Sequence, residues 1–147
     1  MNKLKDLVSD ISQSLTSNSA PKEADLQKFL EDVSSSITKA FTERDGEGQV
    51  KAPLRFSSVG KPSRQLWYSA HRPSKAEPLH LSTRIKFLYG DIIEHLLLLL
   101  IKTAGYKVTD EQSEKKIGGI VGHMDARING IVVDIKSASQ RSFDKFV

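Results

Sequence analysis

The chain contains no cysteine. Disulfides, thiolate zinc sites, cysteine nucleophiles and cysteine-bound iron–sulfur clusters are therefore excluded, and the composition fits an intracellular protein. Long apolar runs are also missing. The longest, Leu96 to Ile101, is far too short to cross a bilayer. Met1-Asn2-Lys3-Leu4-Lys5-Asp6 lacks the apolar stretch of a signal peptide. No membrane partner is expected, and the expected location is cytoplasmic. A strong excess of either charge is absent too. The net charge is +4, which permits nucleic-acid binding without establishing it. With 147 residues, 38% of them hydrophobic and 27% charged, the chain suits one globular unit with a single core.

Two apolar series recur at helical spacing near the N-terminus: Leu4, Leu7, Val8, Ile11, Leu15, then Leu26, Phe29, Leu30, Val33, Ile37, Phe41. Ser17-Asn18-Ser19-Ala20-Pro21 separates them, so residues 1–43 read as two amphipathic helices. They suit a helical hairpin, a mobile extension or an arm that binds a partner. Arg44-Asp45-Gly46-Glu47-Gly48 reads as a linker. We therefore divide the chain into a helical extension with linker, 1–50, and a core, 51–147. In the core, a short helix is expected from about Pro62. One long helix is expected from about Ser82 to Thr103, apolar on nearly all sides after Ile92 and hence buried, ending at Gly105. Tyr106-Lys107-Val108-Thr109 reads as a first strand. The order of a helix followed by strands gives an α/β or α+β class, with the helix packed on the sheet.

Asn129-Gly130 lies between two alternating runs, Lys116 to Ile128 and Ile131 to Ser137, which is a strong hairpin signal. A two-residue turn would set Ile128 opposite Ile131, Arg127 opposite Val132, Ala126 opposite Val133 and Asp125 opposite Asp134, with His123 opposite Lys136 further out. Side chains alternate along a strand. One face then carries Met124, Ala126, Ile128, Ile131, Val133 and Ile135; the other carries His123, Asp125, Arg127, Val132, Asp134 and Lys136. Glu94 adds a third carboxylate from the long helix, beside an apolar run where an uncompensated charge is costly. Glu94, Asp125 and Asp134 would offer hard oxygen ligands to Mg²⁺ or Mn²⁺, which activate water and neutralise charge on phosphate. Lys136 points to the same face, where it would orient the water or stabilise developing negative charge.

Glu94, Gly122-His123-Met124-Asp125 and Asp134-Ile135-Lys136 together resemble the signature of the PD-(D/E)XK nuclease superfamily, closest to its RecB-type branch that includes virus-encoded recombination exonucleases. The resemblance covers roughly residues 54–147. It implies a restriction-endonuclease-like core, a central mixed sheet with a buried long helix, preceded here by the two N-terminal helices. It implies metal binding by Glu94, Asp125, Asp134 and the backbone carbonyl of Ile135, with Lys136 assisting the nucleophile. The implied activity is Mg²⁺- or Mn²⁺-dependent hydrolysis of DNA phosphodiesters, of exonuclease character, in recombination, repair or degradation of phage or host DNA. A recombination or replication protein would be the partner for residues 1–43, and a virus-encoded origin follows from the resemblance alone.

This sequence departs from that pattern in three places. Many members of the branch place a His four residues after the helix glycine; here Glu94 stands there, and His95 follows Gly90-Asp91-Ile92-Ile93-Glu94. Ser58-Val59-Gly60-Lys61-Pro62-Ser63-Arg64 has no cluster-binding cysteine, so no iron–sulfur cluster is expected. The family's Gln-x-x-x-Tyr helix is missing, since the chain stops at Phe146-Val147 soon after Ser137-Ala138-Ser139-Gln140-Arg141-Ser142-Phe143; a truncated core is expected.

Plainer roles remain open for each residue. Asp125 and Asp134 also suit an exposed, solvated sheet face. Glu94 also suits a metal-free ion pair with Lys136. His123 suits a neighbour of the site or a DNA contact, and His95 a structural position. Lys61, Arg64, Arg72 and Arg84, with Trp67 and Tyr68, suit contact with a DNA backbone or a stacked base, or ordinary surface charge with core aromatics. Gly60-Lys61 is not a phosphate loop: Arg55 occupies the first glycine position, and Pro62 stands where Ser or Thr is needed. An endonuclease on the same core, and a remnant that binds DNA or a partner without cutting, are the alternatives to the exonuclease.

Overall fold

A computed structural model describes residues 4–42, 51–75, 77, 79–138 and 143–144. The Arg44–Gly48 linker and most of the C-terminal stretch after Ala138 fall outside the described residues. Among the described residues, four α-helices, α1 (Leu7–Thr16), α2 (Glu23–Thr42), α3 (Ser63–His71) and α4 (Leu81–Thr103), precede five short strands: β1 (Val108–Thr109), β2 (Ser113–Ile117), β3 (Ile120–Met124), β4 (Ala126–Ile128) and β5 (Ile131–Val133). The chain is thus of the mixed α+β class.

The long helix α4 begins where His80 Nδ1 accepts a hydrogen bond from the Ser82 N–H at 3.3 Å. It ends because Gly105, at φ +87°, takes the left-handed conformation that an L side chain resists. Gly105 N–H then bonds back to the Lys102 carbonyl at 2.9 Å, and Tyr106 N–H to that of Ile101 at 3.2 Å. That pairing is a Schellman stop, and it swings Tyr106 onto Ile101. Ile101, Tyr106 and Ile128 form the core, with Leu4, Leu7, Ile11, Val108 and Val133 packed around them. Tyr106 also donates its hydroxyl to Asp10 Oδ2 at 2.6 Å, tying α1 to this core.

The two helices within residues 1–50 therefore lie on α4. Ser36 of α2 meets His95 Nε2 at 3.0 Å. Lys102 reaches Glu111 at 2.8 Å and Asp25 at 3.8 Å. His95 thus takes a structural position. Leu98, Leu99 and Ile101 are buried, but α4 is not covered on every side: Leu81, Ile85, Tyr89 and Leu96 face outward. The expectation of a buried helix therefore holds for Leu98, Leu99 and Ile101 and is corrected at Leu96 and over the first turns.

The strands form two antiparallel sheets, β1-β4-β5 and β2-β3, not one mixed sheet. The Asn129-Gly130 hairpin has the expected register: Ile128 faces Ile131, Arg127 faces Val132 and Ala126 faces Val133. Asn129 and Gly130 both have positive φ, 48° and 87°, as a type I′ turn requires. Ala126 and Ile128 are fully buried, so the apolar face of β4 lies inward, while Ile131 beside the turn is half-exposed. The long first arm, Lys116 to Ile128, is however broken twice. Gly118 and Gly119, both at positive φ, fold the chain into a second hairpin, and Glu114 becomes the partner of His123. At Asp125 the backbone leaves the first ladder, its carbonyl accepting from Gln112 N–H at 2.9 Å. Among the described residues, the one parallel pairing is an isolated bridge between Arg55 and Val121.

Candidate active site

Glu94 precedes Ile101 by two helical turns, so both side chains leave the same face of α4. Ile101 shares a buried cluster with Tyr106 and Ile128, so that face is turned toward β4, and Glu94 is directed to the chain around Asp125, the residue before β4. The carboxyl of Glu94 is half-buried and its pKa is pushed up to about 7. Burial contributes most and the charge of Asp125 next, while a hydrogen bond from Gln112 and the charge of Lys136 oppose them. Gln112 donates from Nε2 to Glu94 Oε1. This glutamine escaped sequence reasoning: it sits at φ 49° in a turn whose geometry no local motif announced.

The other three residues lie past the ladder. β5 ends at Val133, so neither Asp125 with Asp134 nor His123 with Lys136 forms a cross-strand pair. Instead Ile135 donates its N–H to Asp125 Oδ2 at 2.6 Å, and Lys136 Nζ bonds Asp134 Oδ1 at 2.7 Å. Ile135 meets Asp125 through its N–H. The Lys136 ammonium pKa is raised, first by its bond to Asp134 and then, against some desolvation, by the charges of Asp134, Asp125 and Glu94. Glu94, Asp125 and Lys136 therefore sense one another, while Asp134 is exposed and occupied by Lys136. Among the described residues, no three His, Asp or Glu side chains stand close enough together to hold a metal ion. Two carboxylates of the expected three converge.

The surrounding residues fall into two groups. Arg84 donates to the Ala40 carbonyl of α2, so part of its hydrogen-bonding capacity ties two helices together. His123 is exposed, 3.8 Å from Glu114. Lys61 and Arg64 are exposed beside and within α3. Trp67 and Tyr68 are not core aromatics: each is 49% exposed.

The fold and site define a mixed α+β chain with a coupled carboxylate–ammonium cluster between its long helix and its hairpin. No protein-family model, curated protein or solved structure matches the chain.

Proposed function

We propose that this chain is a metal-dependent deoxyribonuclease built on a PD-(D/E)XK-type core, cutting DNA from its ends. The observation that supports it most is the meeting of Glu94, Asp125 and Lys136, with the Glu94 carboxyl pushed up to about 7. Two carboxylates brought together at the edge of a core repel each other, and a bound cation would offset that repulsion. Their hard oxygens fit Mg²⁺ or Mn²⁺, with Asp134 as the third acidic ligand of the reading. When bound, such an ion supplies positive charge for the carboxylates and the acidity that makes water a nucleophile.

The chain's own residues do the rest. Glu94 and Asp125 would hold the ion, from the helix and from the strand entrance. The Ile135 N–H fixes the Asp125 carboxylate. Lys136, with its pKa raised, stays an ammonium at neutral pH. In this reading it acts by charge, on the attacking water or the phosphate oxygens. As the third acidic ligand, Asp134 would have to exchange its bond to Lys136 for the ion.

One observation favours a second reading, a non-catalytic DNA binder: Asp134 is bonded to Lys136 and stands apart from the Glu94–Asp125 pair. End-labelled linear DNA with Mg²⁺ or Mn²⁺ decides between them. Metal-dependent loss of label, abolished in Asp134→Ala and reduced at least a hundredfold in Lys136→Ala, is the expected result. DNA binding without cutting by wild type supports the second reading. Cutting of closed circular DNA at the same rate replaces exonuclease by endonuclease.

A further inference from the structure

The segment between α2 and α4 carries a pattern that phosphodiester hydrolysis leaves unused. Lys51, Arg55, Lys61, Arg64, Arg72 and Lys75 follow one another with no Asp or Glu among them. The segment is fixed to the body of the protein. Ala52 N–H bonds the Ala70 carbonyl at 2.9 Å, and Val121 N–H bonds that of Leu54 at 2.8 Å. The Phe56 ring lies against Gly122, where a Cβ would collide with it. β3, the strand that runs into Asp125, thus has a basic segment along its side.

Within that segment α3 is turned inside out. Arg64, Trp67, Tyr68 and His71 stand at i, i+3, i+4 and i+7, the spacing of a core-facing stripe. All four are exposed, whereas Leu66 and Ala70, on the opposite side, are half-buried. The rings are ordered among themselves. Trp67 and His71 stack at 4.9 Å with 13° between planes, Tyr68 meets Trp67 edge-on at 5.2 Å, and the Arg64 guanidinium lies 5.9 Å from the Tyr68 ring centre. An exposed stack of flat rings flanked by cations matches the chemistry of unpaired nucleotides, which offer free π faces and phosphates together.

We propose that this face of α3 binds a run of unpaired nucleotides, with bases stacked on Trp67, His71 and Tyr68 and phosphates on the neighbouring Arg and Lys side chains. A duplex keeps its bases stacked internally and would offer the platform only its backbone. The proposal deepens the nuclease reading by giving it a single-stranded substrate, and it rests on that reading only for a nucleic-acid ligand.

Trp67 is the single tryptophan of the chain, so its fluorescence reports the platform directly. The experiment is titration of the full chain, without metal, with oligothymidylate of about 12 nucleotides, the equivalent RNA, and a blunt duplex. Fluorescein-labelled versions give affinities by anisotropy. Saturable quenching by single strands, tighter than the duplex, is expected; binding of DNA alone or of RNA as well tells which sugar is accepted, and both support the platform. Trp67→Ala should weaken binding about tenfold and Trp67→Phe much less, with helicity unchanged in both. Equal or tighter binding of the duplex, or undiminished affinity in folded Trp67→Ala, overturns the proposal. Cleavage plays no part in this metal-free readout, so a chain that binds single strands here but leaves end-labelled DNA uncut with Mg²⁺ or Mn²⁺ keeps the platform and refutes the nuclease.

Discussion

Replacing Glu94 by Gln should make the protein more stable, and only at high pH. The native carboxyl has a pKa of about 7, against 4.5 for an unperturbed glutamate. Between these values the native state holds the proton more tightly than the unfolded chain, so raising the pH through this window costs stability. The stabilising contribution is full below the unfolded pKa and is lost as pH rises through the folded one. The whole shift corresponds to about 3 kcal/mol. Glu94 is only half-buried, and solvent screening reduces the net effect to about 1–2 kcal/mol. Glutamine keeps the shape, and its carbonyl can still accept from Gln112, but it carries no charge to repel Asp125. Urea unfolding without metal at pH 4, 6 and 8 is the assay. Glu94→Gln should gain about 1–2 kcal/mol over wild type at pH 8, a rise of a few degrees in Tm, and nothing at pH 4. A variant no more stable than wild type at pH 8, or stabilised equally at pH 4, would refute the argument that burial and Asp125 burden this carboxylate. Saturating Mg²⁺ or Mn²⁺ should stabilise wild type more than the variant, since the ion binds the native state.

Gly130→Val places a β-branched residue at φ +87° in the Asn129-Gly130 turn, and should cost about 1–2 kcal/mol in urea unfolding. An unchanged midpoint would mean that another turn type is reached at no cost. Gly122→Ala should push the Phe56 ring off β3 and loosen the Val121–Leu54 bridge. Faster hydrogen exchange at the Val121 amide is the measurement, and Phe56→Ala in the same chain should restore part of the protection.

The helices were legible because their cause is local. Leu26 through Phe41 carry their own periodicity, the run from about Ser82 to Thr103 its own apolar density, and Gly105 stops the second by taking a positive φ. The Asn129-Gly130 register was legible for the same reason, as both turn residues take left-handed conformations. What the sequence concealed depends on tertiary context. Gly118-Gly119 is itself a turn signal, yet the alternation on either side runs on as if unbroken. Nothing local shows that Trp67 and Tyr68, at core spacing on α3, face solvent.

Asp125 shows why the site was half legible. Its type and its nearness to the Asn129-Gly130 turn were readable, and pairing with Asp134 followed from carrying the hairpin ladder past Val133. The ladder ends there because Asp125 belongs to neither sheet: its carbonyl takes Gln112 N–H, and its carboxylate takes Ile135 N–H. A residue that joins two sheets exchanges strand hydrogen bonds for side-chain ones, which frees the neighbouring Asp134 and Lys136 from any fixed cross-strand register. The same break spoils the expected pairing, and an ion pair at an exposed edge is easily redistributed. Hence the Asp134–Lys136 bond leaves the proposed third ligand open, whereas the Glu94–Asp125 encounter follows from the α4 face that shares its cluster with Tyr106 and Ile128.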